Sequence, residues 1–391
     1  MKKIDYSILM IAIILSAIGL LMIYSTGGTG YFLKQFIWLG ITFIITILIS
    51  QIPPRIWMNF SPFLYAITIL LLFAVLIFST SYPKRWFNLM GFSLQPSEFA
   101  KLGTVFILGY HLSHKKRLEN FKDFLLPLLM VLIPAGLVFL EPDFGAAQIF
   151  IPIMVAMLYW AGMPGEKIFI FFSPLISAIT SFSIFVWLGF ISLFGLYLYL
   201  RKRTSDILYG FIANPLVGLM TPLIWNSLKV YQQKRIISFL SPWLDPKGMS
   251  WQIIQSKIAI GSGRIFGKGF LSGTQKRLEF LPERHTDFIF SCIGEEFGFI
   301  AIVVISLLYI YLFYKLLNLA RTTKNRFASL VTIGFMTWFA YQSFINMGMT
   351  IGILPVTGVP LPFISYGGSA LLACFTAIGI VLAISKTRYE Y

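Results

Sequence analysis

One feature repeats along this chain almost from end to end: apolar windows of about 17 to 25 residues, each long enough to cross the hydrocarbon core of a bilayer as a helix. Lipid offers an open backbone no hydrogen-bond partner, so each window must be a continuous helix. The fold class is therefore all-α, a polytopic integral membrane protein forming a single membrane domain over 1–391. With 57% hydrophobic and 12% charged residues, and a mean hydropathy of +0.81, the chain has too little polar surface for a soluble globule. Spans are expected at 6–24, 32–50, 62–80, 97–113, 122–140, 144–162, 167–183, 184–200, 207–228, 287–315, 326–350 and 366–386. The division of 167–200 into two helices has the least support, because no strong helix breaker lies there. The first window is longer than a signal-peptide core and no small-residue cleavage site follows it, so it should remain as a signal anchor. Twelve spans put both termini on one side. Lys2, Lys3, Arg55, His114 to Arg117, Arg201 to Arg203, Lys315 to Arg326, Lys386 and Arg388 all fall on that side, which the positive-inside rule makes cytoplasmic.

The largest interruption, 229–287, then lies outside, as one large extracytoplasmic loop. Between Lys229 and Phe290 there are ten Lys or Arg, six Gly and four carboxylates, Asp245, Glu279, Glu283 and Asp287. A long loop can cross despite positive charge, but a cationic loop on the outer side calls for an anionic ligand. The net charge of +16 has the same reading. No nucleic-acid motif accompanies it, so anionic headgroups or an anionic lipid-linked substrate are the partners expected, and nucleic acid is not. Four further polar islands belong to the same face: 25–34, 83–98, 141–145 and 352–369. In the last, Pro355, Pro360 and Pro362 cannot sit in ordinary helix interior, so a re-entrant or irregular segment beside a cavity is expected. Cys292 and Cys374 both fall in spans, with no metal or disulfide spacing.

Several side chains can carry chemistry, and each has a plainer reading. Asp287 stands where the loop turns into a helix, which suits an N-cap as well as a rigidly aimed base, and Thr286 can equally be the cap. Glu98 and Lys101 share a helix face three residues apart, where a structural ion pair outweighs a functional site. Glu295 and Glu296 should lie about 12 Å inside the span that starts at Asp287, at about 1.5 Å per residue. Adjacent carboxylates at that depth need a partner, a proton or a cavity. Glu141 and Asp143 flank a proline at a helix start, and capping accounts for at least one of them. The glycines of 261–273 allow amides to approach an anion, but they form no Walker motif, and loop turns explain them as well. His285 has no second ligand at zinc spacing, so no metal centre is expected.

The islands together resemble the SEDS family (shape, elongation, division and sporulation proteins). The likeness rests on RWFNLMGFSLQPSEFAKL at 85–102, EPDFGAA at 141–147, DPKGMSWQIIQSKIAIGSG at 245–263, GKGFLSGTQKRLEFLPERHTDFIFSCIGEEFG at 267–298 and GILPVTGVPLPFISYGGSA at 352–370, in the family's order. Arg284 and Ala370 resemble its rod-shape, elongation branch rather than its division branch. The family has a core of ten spans with one helix pair between EPDFG and the long loop. Here 167–225 has room for three, an apparent two-helix insertion that keeps the loop outside.

The resemblance implies a peptidoglycan glycosyltransferase that polymerises lipid II at the outer face of the bacterial cytoplasmic membrane. It implies a class B penicillin-binding protein as transpeptidase partner, together with other membrane proteins of the elongation complex. The family's catalytic aspartate maps onto Asp287. An α-linked donor giving a β-1,4 product calls for one inverting displacement, with a base at the acceptor hydroxyl and cations at the leaving pyrophosphate. The candidates for that positive charge and for substrate binding are Arg85, Lys101, Lys257, Lys276 and Arg284, with Gln255 and Ser256. Glu98, Glu141, Asp143, His285 and Ser365 are the supporting residues. A divalent cation held by Asp287 or Glu141 is an alternative source of positive charge, although no cofactor is required by the sequence. The competing functions are a lipid II flippase, which would draw on Glu295 and Glu296, and a non-enzymatic scaffold.

Overall fold

The computed structural model describes residues 5–79, 83–89, 92–115, 117–118, 122–201, 204–227, 233, 249–273 and 283–388. Within the membrane domain expected over 1–391, they group into two compact units. The first comprises Met1–Lys116, Leu126–Ala161 and Asp245–Tyr391, and the second Arg117–Leu125 and Gly162–Leu244. Every expected span is helical. Among the described residues, seven helices of 18 residues or more are apolar enough to cross a membrane, and Phe144–Trp160 and Ile184–Leu200 are shorter apolar stretches.

Helix α1 (Tyr6–Ile49) has 44 residues, about 66 Å at 1.5 Å per residue and twice what a bilayer core needs. It folds back at Gly28, whose φ of 78° and ψ of −172° suit glycine alone. The fold-back is visible in its partners. Asp5 receives no helical bond at the start and its N–H donates to Ser385 Oγ (3.3 Å), while at the far end Thr46 Oγ1 donates to the Phe375 carbonyl (3.1 Å). Both ends of α1 therefore meet α13 (Gly368–Thr387). The loop expected at 25–34 is thus a single-residue kink with helix on either side. Helix α2 (Pro54–Phe78) starts earlier than the expected 62, because Pro54 occupies a first-turn position where no N–H is needed. A hairpin that the sequence pattern does not reveal follows, β1 (Phe87–Leu89) antiparallel to β2 (Phe92–Leu94), with Phe87 opposite Leu94. It delivers the chain to Pro96 at the start of α3 (Pro96–His114). Helix α3 is enclosed along most of its length, which is why it can carry Glu98 and Lys101.

Helix α4 (Lys122–Leu140) ends at the Glu141–Pro142–Asp143 turn, and α5 (Phe144–Ala147) and α6 (Phe150–Trp160) form one broken span after it. The region 167–225 holds three helices, α7 (Gly165–Thr180), α8 (Ile184–Arg201) and α9 (Thr204–Ser227), with the break between the first two at Ser181–Ser183. These helices belong to the second unit. Its core is Ile170, Phe194 and Leu198, with Phe190, Tyr197 and Tyr209 packed around them. The first unit resumes with α10 (Met249–Ser262), α11 (Ile289–Thr322), α12 (Arg326–Thr350) and α13. Residues 351–367 between the last two are irregular, as the three prolines require.

Helix α11 breaks at Gly298 (φ 74°). A break frees carbonyls before it and amides after it, and each needs a new partner. The glycine-rich 263–271 segment supplies them. Lys268 and Gly269 N–H donate to the Glu295 and Glu296 carbonyls (3.0 and 2.9 Å), while Phe299 and Ile300 N–H donate to Arg264 and Ile265 (2.9 and 3.2 Å). The glycines let two backbones meet, which neither an anion cradle nor a flexible turn describes. Glu295 and Glu296 belong to the helical run between Ile289 and the break.

Candidate active site

The turn at 283–288 is built for position rather than for capping. Glu283, at φ 52°, accepts from the Thr286, Asp287 and Phe288 amides at 3.1–3.3 Å. The N-cap of α11 is Phe288, which has no side-chain cap bond. Neither Asp287 nor Thr286 therefore caps the helix. Three residues from elsewhere grip the turn's main chain instead. Asn346 on α12, fully buried, donates from Nδ2 to both the Asp287 carbonyl (2.9 Å) and the Val359 carbonyl (2.7 Å). Ser365 Oγ donates to the Thr286 carbonyl (2.6 Å) and accepts from Leu361 N–H (2.8 Å). Tyr366 N–H donates to the His285 carbonyl (3.0 Å). The backbone is fixed and the Asp287 carboxylate stands clear of it, with Oδ2 beside Gly358, where a Cβ would lie 3.4 Å away.

Burial raises the Asp287 carboxyl to about 7, Glu283 and Asp143 add to the rise, and Arg85 opposes it. A carboxylate in a mostly buried site beside two like charges holds its proton longer, and a value near neutrality suits a general base. Arg85 is held from the other side. Its Nε donates to the Glu141 carbonyl (2.9 Å), Nη2 donates to the Pro142 carbonyl, and Nη1 lies 3.9 Å from Asp143 Oδ2. Asp143 does cap: its Oδ1 accepts from Ala146 N–H (3.1 Å), and its Oδ2 accepts from Gln95 Nε2 (3.0 Å). Gln95 N–H in turn donates to Ser369 Oγ (3.1 Å), tying the hairpin to α13. Glu141 is fully buried, and neither carboxyl oxygen has a hydrogen-bond partner among the described residues. Burial first and Asp143 second raise it to about 8, so Glu141 is largely protonated at pH 7. Among the described residues no three His, Cys, Asp or Glu side chains converge on one point.

The other sequence candidates lie in different settings. Lys101 Nζ pairs with Glu98 Oε1 at 2.8 Å inside the bundle and lies 4.7 Å from the centroid of the Trp338 ring, in keeping with a structural pair. Ser256 and Gln255 are buried where α10 docks: Ser256 Oγ is 2.6 Å from Ser291 Oγ and donates to the Thr350 carbonyl (2.6 Å). Lys257, an exposed residue, lays the end of its side chain over Gly352. Arg284 is half-buried in the turn itself. Lys276 lies outside the described residues. His285 packs against both Tyr31 and Tyr366, and burial holds its pKa below the ordinary value. Glu295 Oε1 meets Lys268 Nζ at 2.8 Å, and Glu296 accepts from Ser25 Oγ at 2.6 and 2.8 Å. Sequence reasoning missed Asn346, Gln95, Gly358, Tyr31 and Tyr366. Of these, Asn346 left a signal, as one of two amides, with Gln342, within a membrane-length span.

Comparisons with known proteins agree with this architecture. The chain matches the family model for FtsW, RodA and SpoVE, described as cell cycle protein, over residues 5–208 and 188–390. It is 35% identical over 389 residues to the peptidoglycan glycosyltransferase MrdB of Escherichia coli (strain K12), covering 98% of this chain and 94% of that one. A chain of a peptidoglycan synthase complex, solved to show the structural coordination of polymerization and crosslinking, superposes with a TM-score of 0.76 at 26% identity, covering 100% of this chain and 99% of that one. The rod shape determining protein RodA of Thermus thermophilus has the same fold, with a TM-score of 0.66 at 23% identity over 100% and 99% of the two chains.

Proposed function

The chain belongs to the FtsW/RodA/SpoVE family and is a peptidoglycan glycosyltransferase, and we propose that it polymerises lipid II during cell elongation with Asp287 as its general base. The observation that carries this reading is the Asp287 turn. Its main chain is gripped by Asn346, Ser365 and Tyr366, its carboxylate is not used as a cap, and burial brings the carboxyl to about 7.

In the proposed step Asp287 takes the proton of the acceptor N-acetylglucosamine 4-hydroxyl as that oxygen attacks C1 of the donor N-acetylmuramic acid. The C1–O bond to undecaprenyl pyrophosphate breaks, and its electron pair leaves with the pyrophosphate. One displacement inverts the α-linked donor to a β-1,4 product, and no covalent intermediate forms. Negative charge grows on the leaving group, so a cation held in place stabilises the transition state more than the ground state. Arg85, anchored on two carbonyls, is the best positioned candidate, with Arg284 in the turn beside Asp287. The distribution of Lys and Arg supports cytoplasmic termini and a site at the outer face. The likeness to a chain of a polymerising and crosslinking complex supports a class B penicillin-binding protein as partner.

The test is polymerisation of labelled lipid II by purified protein, with and without that partner, comparing wild type with Asp287→Asn. Loss of a positioned base should lower the rate by about 10²–10⁴-fold in a protein that remains folded. Normal glycan synthesis by Asp287→Asn would place the base elsewhere. An inactive wild type with partner present would turn attention to lipid II translocation.

A further inference from the structure

If Asp287 is the base, it must come within about 2.6–3.2 Å of the acceptor hydroxyl. The sugar bearing that hydroxyl then rests against the 284–287 turn. Three rings crowd the same turn. His285 stands two residues before Asp287, at most about 7 Å away along an extended chain. Its ring centroid is 4.4 Å from that of Tyr31 and 5.6 Å from that of Tyr366, and the two tyrosines are 5.0 Å apart at 86°. The Tyr366–His285 backbone bond and the Ser365 hydroxyl bond to Thr286 fix the cluster to the turn. Tyr31, just past the Gly28 kink, is 41% exposed, so the cluster keeps an open aromatic surface. No proton or charge role above uses these rings.

Resting on the glycosyltransferase reading, we propose that Tyr31, with His285 and Tyr366 behind it, is a stacking platform for the pyranose ring of the acceptor N-acetylglucosamine. A gluco-configured pyranose with equatorial substituents presents axial C–H bonds on both faces. These weakly positive groups match the negative face of an aromatic ring, as an aromatic edge does. The same negative face disfavours a pyrophosphate, which belongs with Arg85. Burial lowers the His285 pKa and so favours the neutral ring, which suits an uncharged sugar.

The experiment is a lipid II titration of polymerisation by the full-length protein with its partner, for wild type, Tyr31→Ala, Tyr31→Phe and Tyr24→Ala. Tyr24 is an exposed aromatic (39%) on the other limb of α1, set edge-on to Phe32 at 5.7 Å, and controls for ordinary anchoring at the membrane interface. A stacking contact of ordinary strength predicts a rise of about three- to tenfold in KM for Tyr31→Ala, with kcat within about twofold. Tyr31→Phe, which keeps the ring, should bring KM back, and Tyr24→Ala should leave it unchanged. An unchanged KM in Tyr31→Ala overturns the platform. An equal rise in Tyr24→Ala does too, as does a Phe variant as weak as the Ala variant. Shorter glycans at unchanged KM would assign the rings to the growing strand and overturn the acceptor assignment. An active Asp287→Asn protein or an inactive wild type removes the underlying reading, and the platform with it.

Discussion

The two compact units are both helical and apolar, yet their interiors are held in different ways. In the second, α7 to α9 close over aliphatic and aromatic side chains: Phe124 stacks on Phe171, which stacks on Tyr209, and Phe190 stacks on Phe194. Among its described residues is a small buried polar knot, in which Asn214 Nδ2 donates to Ser173 Oγ (2.9 Å) and Trp187 Nε1 to Ser177 Oγ (2.8 Å). In the first unit, buried side chains repeatedly bond main-chain groups that no helix satisfies. Asn346, Ser365 and Gln342 serve the irregular 355–366 segment, and 264–269 serves the break at Gly298. The difference follows from the solvent. In a bilayer, backbone can leave the helix only where protein replaces its partners, so buried amides and hydroxyls mark the places where a site can be built.

The largest expected effect lies at Asp287. Because the base acts deprotonated, kcat/KM should climb with pH through about 7 and level off above it. Stability should run the opposite way. The folded carboxyl holds its proton up to about 7 where the ordinary group releases it near 3.8, so this contribution is full below about pH 4 and declines as pH rises through 7. Asp287→Asn removes a buried charge beside Glu283 and Asp143. It should therefore raise the free energy of unfolding at pH 8 by on the order of 2 kcal/mol, read as a higher unfolding temperature, and change it little at pH 4. An Asn variant less stable than wild type at both pH values would show that the carboxylate has a structural bond after all.

Next in size is Gly298→Ala. A methyl group there would meet Gly267 N and Ile265 O, on a backbone at φ 74° that disfavours any L side chain. Strain and the lost pairing should cost about 3 kcal/mol or more. In the second unit, Gly189 has open space around a built Cβ, and Gly189→Ala should be tolerated. Thermal unfolding of both variants in detergent decides whether tight backbone pairing is confined to the first unit.

The spans were legible because a bilayer demands long apolar helices, and the expected bounds of α4 and α12 match the observed ones. The three prolines of 355–362 announced irregular backbone, and LPERHTDF pointed to Asp287. What the sequence hid depends on long-range partners. A single glycine at 28 replaces a ten-residue loop only because each limb of α1 packs along α13. Glycines 263 and 267 read as an anion cradle or a loop until a second break, at Gly298, supplies the backbone they pair with. Nothing local joins Asn346 to Asp287, 59 residues apart. The region 167–225 holds the three helices for which its apolar sequence has room, and its role is untouched by the chemistry above.

The finest distinction between the units rests on two buried asparagines. Asn346→Leu strips donors from the Asp287 and Val359 carbonyls, which lie outside regular helix. Each orphaned acceptor costs about 1–3 kcal/mol, partly offset because Asn346 Oδ1 has no partner among the described residues, so a net loss of about 2 kcal/mol is expected. Polymerisation should fall with it, because the base loses its anchor. Asn214→Leu removes a donor from Gly210, whose carbonyl lies within helix α9, and from Ser173 Oγ, which already donates to Ile170. Asn214 Oδ1 is likewise unpartnered among the described residues, and burying leucine instead relieves that cost. Stability should therefore shift by less than about 1 kcal/mol, with the rate of glycan synthesis unchanged. Equal losses in the two variants would mean that a buried amide serves packing in both units alike, and that the polar interior around Asp287 is no signature of the site.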